Sequence, residues 1–92
     1  MSLRFEWDSA KARSNLKKHG VSFEEGATIF GDPLSATIRS PDHSKGESRF
    51  VTVGQSARGR VLVVAHTDDE DVIRIISVRS ATRRERKSYE EA

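Results

Sequence analysis

The chain has 92 residues, 16 of them lysine or arginine and 14 acidic, so it is long enough for one domain with a modest core and carries a formal net charge of only +2. It contains no cysteine, which excludes disulfides and thiolate chemistry, and three scattered histidines do not predict a zinc site; we expect no metal and no cofactor. No apolar run is long enough to span a membrane and residues 1–13 lack the apolar centre of a signal peptide, so we expect a cytoplasmic protein with one domain over residues 1–92.

Two short helices are predicted near the N-terminal end. Asp8 is a good N-cap residue, and Gly20 suits the left-handed position that closes a helix. Ser22 and Glu25 have the spacing of a capping box, which predicts the start of a second helix. The buried face of that helix is expected to contain Phe23, Ala27 and Phe30. The tight link between the helices predicts an αα-hairpin that packs on a broader element.

The middle of the chain changes to strand-like runs rich in β-branched residues and separated by polar turns, including a loop over residues 40–46. The four predicted strands are 34–39, 49–55, 60–67 and 72–80. Short links between consecutive strands predict an antiparallel meander. A second capping box, formed by Thr82 and Glu85, predicts a C-terminal helix. The expected fold class is therefore α+β, with two N-terminal helices, a four-stranded antiparallel sheet, a C-terminal helix, and one sheet face partly open.

Positive charge is concentrated in residues 72–87. This segment contains six cations and one glutamate, a net charge of +5, whereas the rest of the chain carries −3. Arg83 and Arg84 fall in the first turn of the last helix, where the helix dipole disfavours each cation by roughly 0.3–1 kcal/mol. A conflict of this kind points to function. A solvated basic helix face is the alternative, but the cluster as a whole favours an anionic partner, since counterion release requires clustered cations.

The common catalytic motifs are missing: there is no GxGxxG, Walker loop, HExxH or GxSxG. The remaining arginines, carboxylates and one strand histidine suit the cleavage of RNA by its own 2′-OH. That reaction requires an aligned hydroxyl, a proton acceptor and cations that stabilise charge on the phosphoryl oxygens. Arginine suits the last role, because its fork pairs with phosphate in a bidentate manner and stays charged.

Arg79, Arg74 and His66 are the candidate catalytic residues. Arg79 is the first choice for a phosphate contact, with a salt bridge at the rim as the alternative. Arg74 lies an odd number of positions away, so a regular strand directs the two side chains to opposite faces unless a bulge intervenes. His66 lies on an otherwise apolar face, which fits either a hydrogen-bonded core histidine or a general acid/base. The candidates for holding the RNA backbone are Arg58, Arg60, Arg83 and Arg84.

Four segments, in this order, resemble the BrnT family of bacterial toxins: FEWDSAKARSNLKKHGVSFEEGATIFGDPL, HS…GE-RF, GRVLVVAHT and RIISVRSATRRERKSYE. The resemblance extends over residues 5–89. It implies a RelE-like ribonuclease toxin of a type II toxin–antitoxin pair, neutralised in a hetero-oligomer by a cognate antitoxin with a ribbon-helix-helix DNA-binding part. It also implies that the complex represses its own operon and that the antitoxin covers the cationic face.

The leading hypothesis is thus an endoribonuclease toxin that cleaves RNA by metal-independent phosphodiester transfer. The alternative is a non-catalytic basic module that binds a protein partner or nucleic acid. Direct DNA binding through the last helix is a weaker third hypothesis, because that helix is short and no helix-turn-helix spacing surrounds it.

Overall fold

A computed structural model of the chain describes residues 3–40 and 48–91, so the predicted loop over 40–46 lies almost entirely outside the described residues. The elements in chain order are β1 (Arg4–Glu6), α1 (Ser9–His19), α2 (Phe23–Ala27), a 3₁₀ helix (Thr28–Gly31), β2 (Ala36–Arg39), β3 (Arg49–Gln55), β4 (Val61–Asp69), β5 (Val72–Ser80) and α3 (Arg83–Glu91). The fold class is α+β, as predicted. None of the described helices is long and apolar enough to cross a membrane.

The strands form one sheet in the order β1-β5-β4-β3-β2. Strands β2 to β5 make the predicted antiparallel meander. The prediction of a four-stranded, purely antiparallel sheet is wrong, because β1 adds a fifth strand that runs parallel to β5 and pairs Arg4 with Val72 and Glu6 with Arg74. A strand of three residues is too short to show a period of two, and its partner is far away in sequence.

The helix caps follow the sequence signals. Asp8 accepts a hydrogen bond of 3.0 Å from the Lys11 N–H, and Gly20 closes α1 with a φ of 71°. At the start of α2, Ser22 accepts one of 3.0 Å from the Glu25 N–H. The second helix is shorter than predicted, because α-helical structure ends at Ala27 and the chain continues as a 3₁₀ helix, a tightening common at helix C-termini.

The core lies between α1, α2 and one face of the sheet. Its buried members are Val21, Phe23, Ile29, Leu62, Val64, Ile73, Ile75 and Val78. Asn15 is the buried polar residue of α1, and its amide group bonds both backbone groups of Val78: Nδ2 donates to the carbonyl at 2.8 Å, and Oδ1 accepts from the N–H at 3.1 Å. Each bond to a buried backbone group contributes about 1 kcal/mol, so Asn15 fixes α1 against β5.

α2 approaches the sheet closely at Gly26, where a Cβ atom would lie only 2.5 Å from Cγ2 of Val78. We predict that Gly26→Ala destabilises the fold by about 1–3 kcal/mol, because the overpacking outweighs the better helix propensity of alanine, which is about 1 kcal/mol. Urea unfolding measures the change. Gly31→Ala is the matched control, since a Cβ there meets nothing within 4 Å. Equal stability of the two variants would contradict the prediction.

Candidate functional site

A β-bulge in β5 shapes the open face of the sheet. Ala65 pairs with Ser77, whereas the next residue of β4, His66, pairs with Ile75. Ile76 therefore has no cross-strand partner, and the alternation of side chains in β5 shifts by one position. The burial pattern of β5 shows the same shift, because its buried positions are spaced by two residues before the bulge and by three across it.

The bulge places Arg74 and Arg79 on the same face of the sheet. Arg74 pairs with Thr67 and Arg79 pairs with Val63, and these two residues of β4 are an even number of positions apart in a regular strand. That face is the one turned away from α1 and α2. The expectation that the two side chains point to opposite faces holds only for a regular strand. Because β5 contains a bulge, both arginines point to the open face.

The fork of Arg79 is occupied by a carboxylate from α3. Its Nη1 and Nη2 donate to Oε1 and Oε2 of Glu85 at 2.7 and 2.8 Å. Glu85 also accepts from the N–H of Thr82 at 2.8 Å, so the capping box and the ion pair share one carboxylate. The hydrogen bonds from Arg79 are the main cause that lowers the pKa of Glu85 to about 2. The Arg79 side chain remains 39% exposed and is accessible to a ligand.

Arg74 lies at the acidic end of the same face. Its guanidinium is 3.4 Å from the Glu6 carboxylate, and both side chains are about half exposed, so the pair contributes little to stability. Asp68 and Asp69 line the shallow depression beside it. Arg79 in contrast lies next to the basic first turn of α3. The open face is therefore most electropositive at the Arg79 end.

Arg83 and Arg84 are exposed in the first turn of α3, a helix in which no described side chain is buried. The opposite end of this helix is held by Tyr89, whose hydroxyl donates to the Asp32 carboxylate. Tyr89 and Gln55 also line a depression where β3 and β5 end. The Tyr89–Asp32 bond was not predicted, because the two residues are 57 positions apart and no local pattern links them.

Arg60 supports the fold through Glu25. Its Nε donates at 2.9 Å to Oε2 of this buried carboxylate, its Nη2 donates to Oε1, and Ser56 donates to Oε2 at 2.7 Å. The bond from Arg60 is the main cause that lowers the pKa of Glu25. The Glu25 carboxylate thus points to the hairpin between β3 and β4, and not to the cap at the start of α2. Arg58 is 4.0 Å away and 76% exposed, and it extends into solvent.

His66 lies in the core, on the face that the helices cover. It is 1% exposed and packs edge-on against Phe30 with ring centroids 5.0 Å apart. Its Nδ1 is 2.8 Å from the Asp68 carboxylate, and its Nε2 is 2.7 Å from the Thr52 hydroxyl. Because a carboxylate only accepts, Nδ1 donates, and Nε2 of the neutral ring accepts from Thr52. This arrangement favours the interpretation of His66 as a core histidine.

The structure brings Arg74 and Arg79 onto one face, with Arg83 and Arg84 beside Arg79. It does not bring His66 to them. Sequence reasoning missed the distant carboxylates that hold arginines in place, because a contact between residues far apart in the chain has no local signature. Among residues 3–40 and 48–91, no three histidines, cysteines or acidic residues are grouped to hold a metal ion.

The fold and this face define a small α+β protein with one helix-covered sheet face and one open face that carries arginines. The chain belongs to the BrnT family: residues 7–85 match the family described as ribonuclease toxin, BrnT, of type II toxin–antitoxin systems, which confirms the resemblance. Membership implies ribonuclease activity and an antitoxin partner. The 1.1 Å crystal structure of the Brucella abortus ribonuclease toxin BrnT has a similar fold, with a TM-score of 0.64 and 20% identity over 89% of this chain and 100% of that chain. Among curated protein sequences, none matches this chain.

The burial of His66 predicts a specific pH dependence of stability. Burial lowers its pKa from 6.5, and the Asp68 charge only partly offsets this. Below about pH 6.5 the unfolded chain binds a proton before the folded chain does, so the free energy of unfolding should fall by up to about 1.4 kcal/mol per pH unit. Urea unfolding between about pH 7.5 and 5.5 measures this slope.

His66→Gln is the control, because it keeps a hydrogen-bonding side chain that does not titrate. Its stability should be lower throughout but nearly flat over the same pH range. The lowered carboxylate pKa values lead to acid destabilisation only at lower pH, below the unfolded-state pKa of about 4. An equal slope in His66→Gln would show that another group is responsible.

Proposed function

We propose that this protein is a toxin that cleaves single-stranded RNA without a metal ion. In the reaction, a ribose 2′-oxygen forms a bond to the adjacent phosphorus and loses its proton to solvent, while the bond from phosphorus to the 5′-oxygen breaks and that oxygen takes up a proton. The products are a 2′,3′-cyclic phosphate and a 5′-hydroxyl. The observation that carries this proposal is the bulge that presents Arg74 and Arg79 together on the open face.

Arg79 is assigned to the phosphate that is cleaved. Its planar fork binds the two Glu85 oxygens in the geometry that it would use for two phosphoryl oxygens. A phosphate that replaces Glu85 would receive the same pair of N–H donors. These donors stabilise the charge that develops on the phosphoryl oxygens as the 2′-oxygen attacks.

Arg74 is assigned to a neighbouring phosphate. At about 3.3 Å per residue, the Cα atoms of Arg74 and Arg79 are roughly 15 Å apart along β5, too far for both side chains to hold one phosphate in the same orientation. Two contacts on one strand also orient the RNA, and orientation is itself a large part of catalysis when the nucleophile belongs to the substrate.

The basic turn of α3 is assigned to the RNA backbone beyond Arg79. Arg83 and Arg84 are exposed there, and the helix N-terminus adds a partial positive charge of its own. Binding of an anion explains why two cations occupy a turn that the dipole makes unfavourable for them. Arg58 is mostly exposed and is assigned a further backbone contact from the hairpin, whereas Arg60 is held by Glu25.

This proposal does not use His66 as a general acid/base. The imidazole is 1% exposed and both its nitrogens have hydrogen-bond partners, so a substrate hydroxyl would reach it only after the core opened. The expected catalysis consists of positioning and charge stabilisation by arginines, which together supply a large share of the rate enhancement in phosphoryl transfer.

We infer that the antitoxin neutralises the toxin by covering the same open face. The partner implied by the family would place acidic side chains against Arg74 and Arg79 and carry a ribbon-helix-helix DNA-binding part, so that the hetero-oligomer represses its operon in the cytoplasm. Such a contact hides the residues assigned to cleavage, and it therefore explains inhibition without a change in fold.

The decisive experiment incubates total bacterial RNA with purified protein in EDTA and compares three proteins by gel. The wild type is expected to cleave, and Arg79→Ala should reduce the rate by about 10²–10³-fold, the loss typical of one removed transition-state donor. Glu85→Gln is the matched control. It breaks the same ion pair from the other side but leaves the arginine in place, so it should retain cleavage.

Loss of cleavage in both variants, while circular dichroism shows that both are folded, would indicate that cleavage requires the intact ion pair and that Arg79 is not the phosphate-binding group. Intact RNA with all three proteins would require a second assay with ribosomes added. Failure there too would favour the non-catalytic binding module.

A further inference from the structure

Helix α1 carries a second concentration of positive charge. Within Ser9–His19 there are four cations and no acidic residue. The four cations are Lys11, Arg13, Lys17 and Lys18. All four are exposed, and none forms an ion pair with a described residue. The segment 72–87 is therefore not the sole source of anion-binding groups in this protein.

The helix divides these cations into two stripes. Lys11 and Lys18 are seven positions apart, so they lie on the same side of α1, two turns from each other. They line a cleft of about 210 Å³ between the helix and β5, whose opposite wall contains Ile76 and Ser77. Arg13 and Lys17 border a separate surface depression around another part of the helix.

The cleft lies at an edge of the sheet that no described strand covers. β1 pairs with β5 only as far as Arg74, and beyond that point Asn15 of α1 bonds the backbone of Val78 in place of a strand. The bulge residue Ile76 is located between these two points. Because Ser77 pairs with Ala65, it belongs to the open face, between the two arginines of β5. The cleft is thus a continuation of the open face around the edge of β5.

Charges from both the cleft and the open face affect Asp8, at the N-terminal end of α1. The pKa of Asp8 is lowered mainly by backbone hydrogen bonds from Lys11 and Ala10, with smaller contributions from the charges of Lys11 and Arg74. The charges of a lysine of the cleft and of an arginine of the open face therefore act on the same carboxylate.

We propose that Lys11 and Lys18 form a second phosphate-binding site, which leads the RNA backbone from the open sheet face around the bulged edge of β5. This inference rests on the proposed function, since it names a further part of the same RNA path. Lysine ammonium groups suit a mobile backbone as point charges, and the hydroxyls of Ser14 and Ser77 add uncharged donors in the cleft. A positive groove of this kind holds single-stranded RNA without reading its sequence.

The test compares two double variants of α1. Lys11→Gln/Lys18→Gln removes the cations of the cleft, and Arg13→Gln/Lys17→Gln removes the same number from the rest of the helix; glutamine has a helix propensity close to that of lysine and arginine. Binding of a fluorescent single-stranded RNA is measured between about 50 and 200 mM salt in both, against the wild type, on Arg79→Ala backgrounds that suppress cleavage.

The cleft variant should bind every RNA sequence more weakly, and the slope of log affinity against log salt should decrease by about 1.4, the value for two lost phosphate contacts on a single strand. The control variant should keep the wild-type slope. Equal slopes in the two variants would overturn the second site while leaving the proposed function intact. A wild-type protein that neither binds nor cleaves RNA, with or without ribosomes, would overturn both.

Discussion

The bulge at Ile76 is the constraint on which the arrangement of this molecule depends. In a regular strand, the core residues on either side of it would alternate out of phase, and either Ile75 or Val78 would face solvent. The extra residue keeps both in the core and, as a direct result, presents Arg74 and Arg79 on one open surface. The same bulge thus allows the apolar side chains to be buried and the arginines to be exposed on one face.

Buried polar groups hold the elements around this bulge. Asn15 supplies the backbone partners that β5 lacks at its uncovered edge, and Glu25 joins α2 to the β3–β4 hairpin through Arg60. Removing one partner from either set leaves a buried group without its hydrogen bond, which costs more than the bond contributes. The small apolar core is therefore supplemented by polar contacts that are specific in geometry, which suits a chain with 33% charged residues.

Much of the fold follows from local rules. Asp8, Ser22 and Thr82 mark the three helix starts because a cap is an interaction over three residues, and the strands β2 to β5 follow from their residue types and turns. The short parallel strand β1 and the partners of the arginines depend on contacts across the whole chain. The candidate site could be proposed from the sequence as a set of arginines, but their common face could not be predicted, since the apolar run of β5 fits more than one register.

The carboxylate of Glu85 links the stability of the start of α3 to the occupancy of Arg79. It caps the helix at Thr82 and occupies Arg79 at once, in an element that buries no described side chain and is fastened at its far end by Tyr89. Occupancy of Arg79 by an anion and the order of the first helical turn are therefore linked quantities, and linkage is reciprocal. A ligand that replaces Glu85 at Arg79 therefore shifts the equilibrium between an ordered and a frayed first turn of α3, and the order of that turn shifts the affinity of Arg79 for the ligand by the same factor.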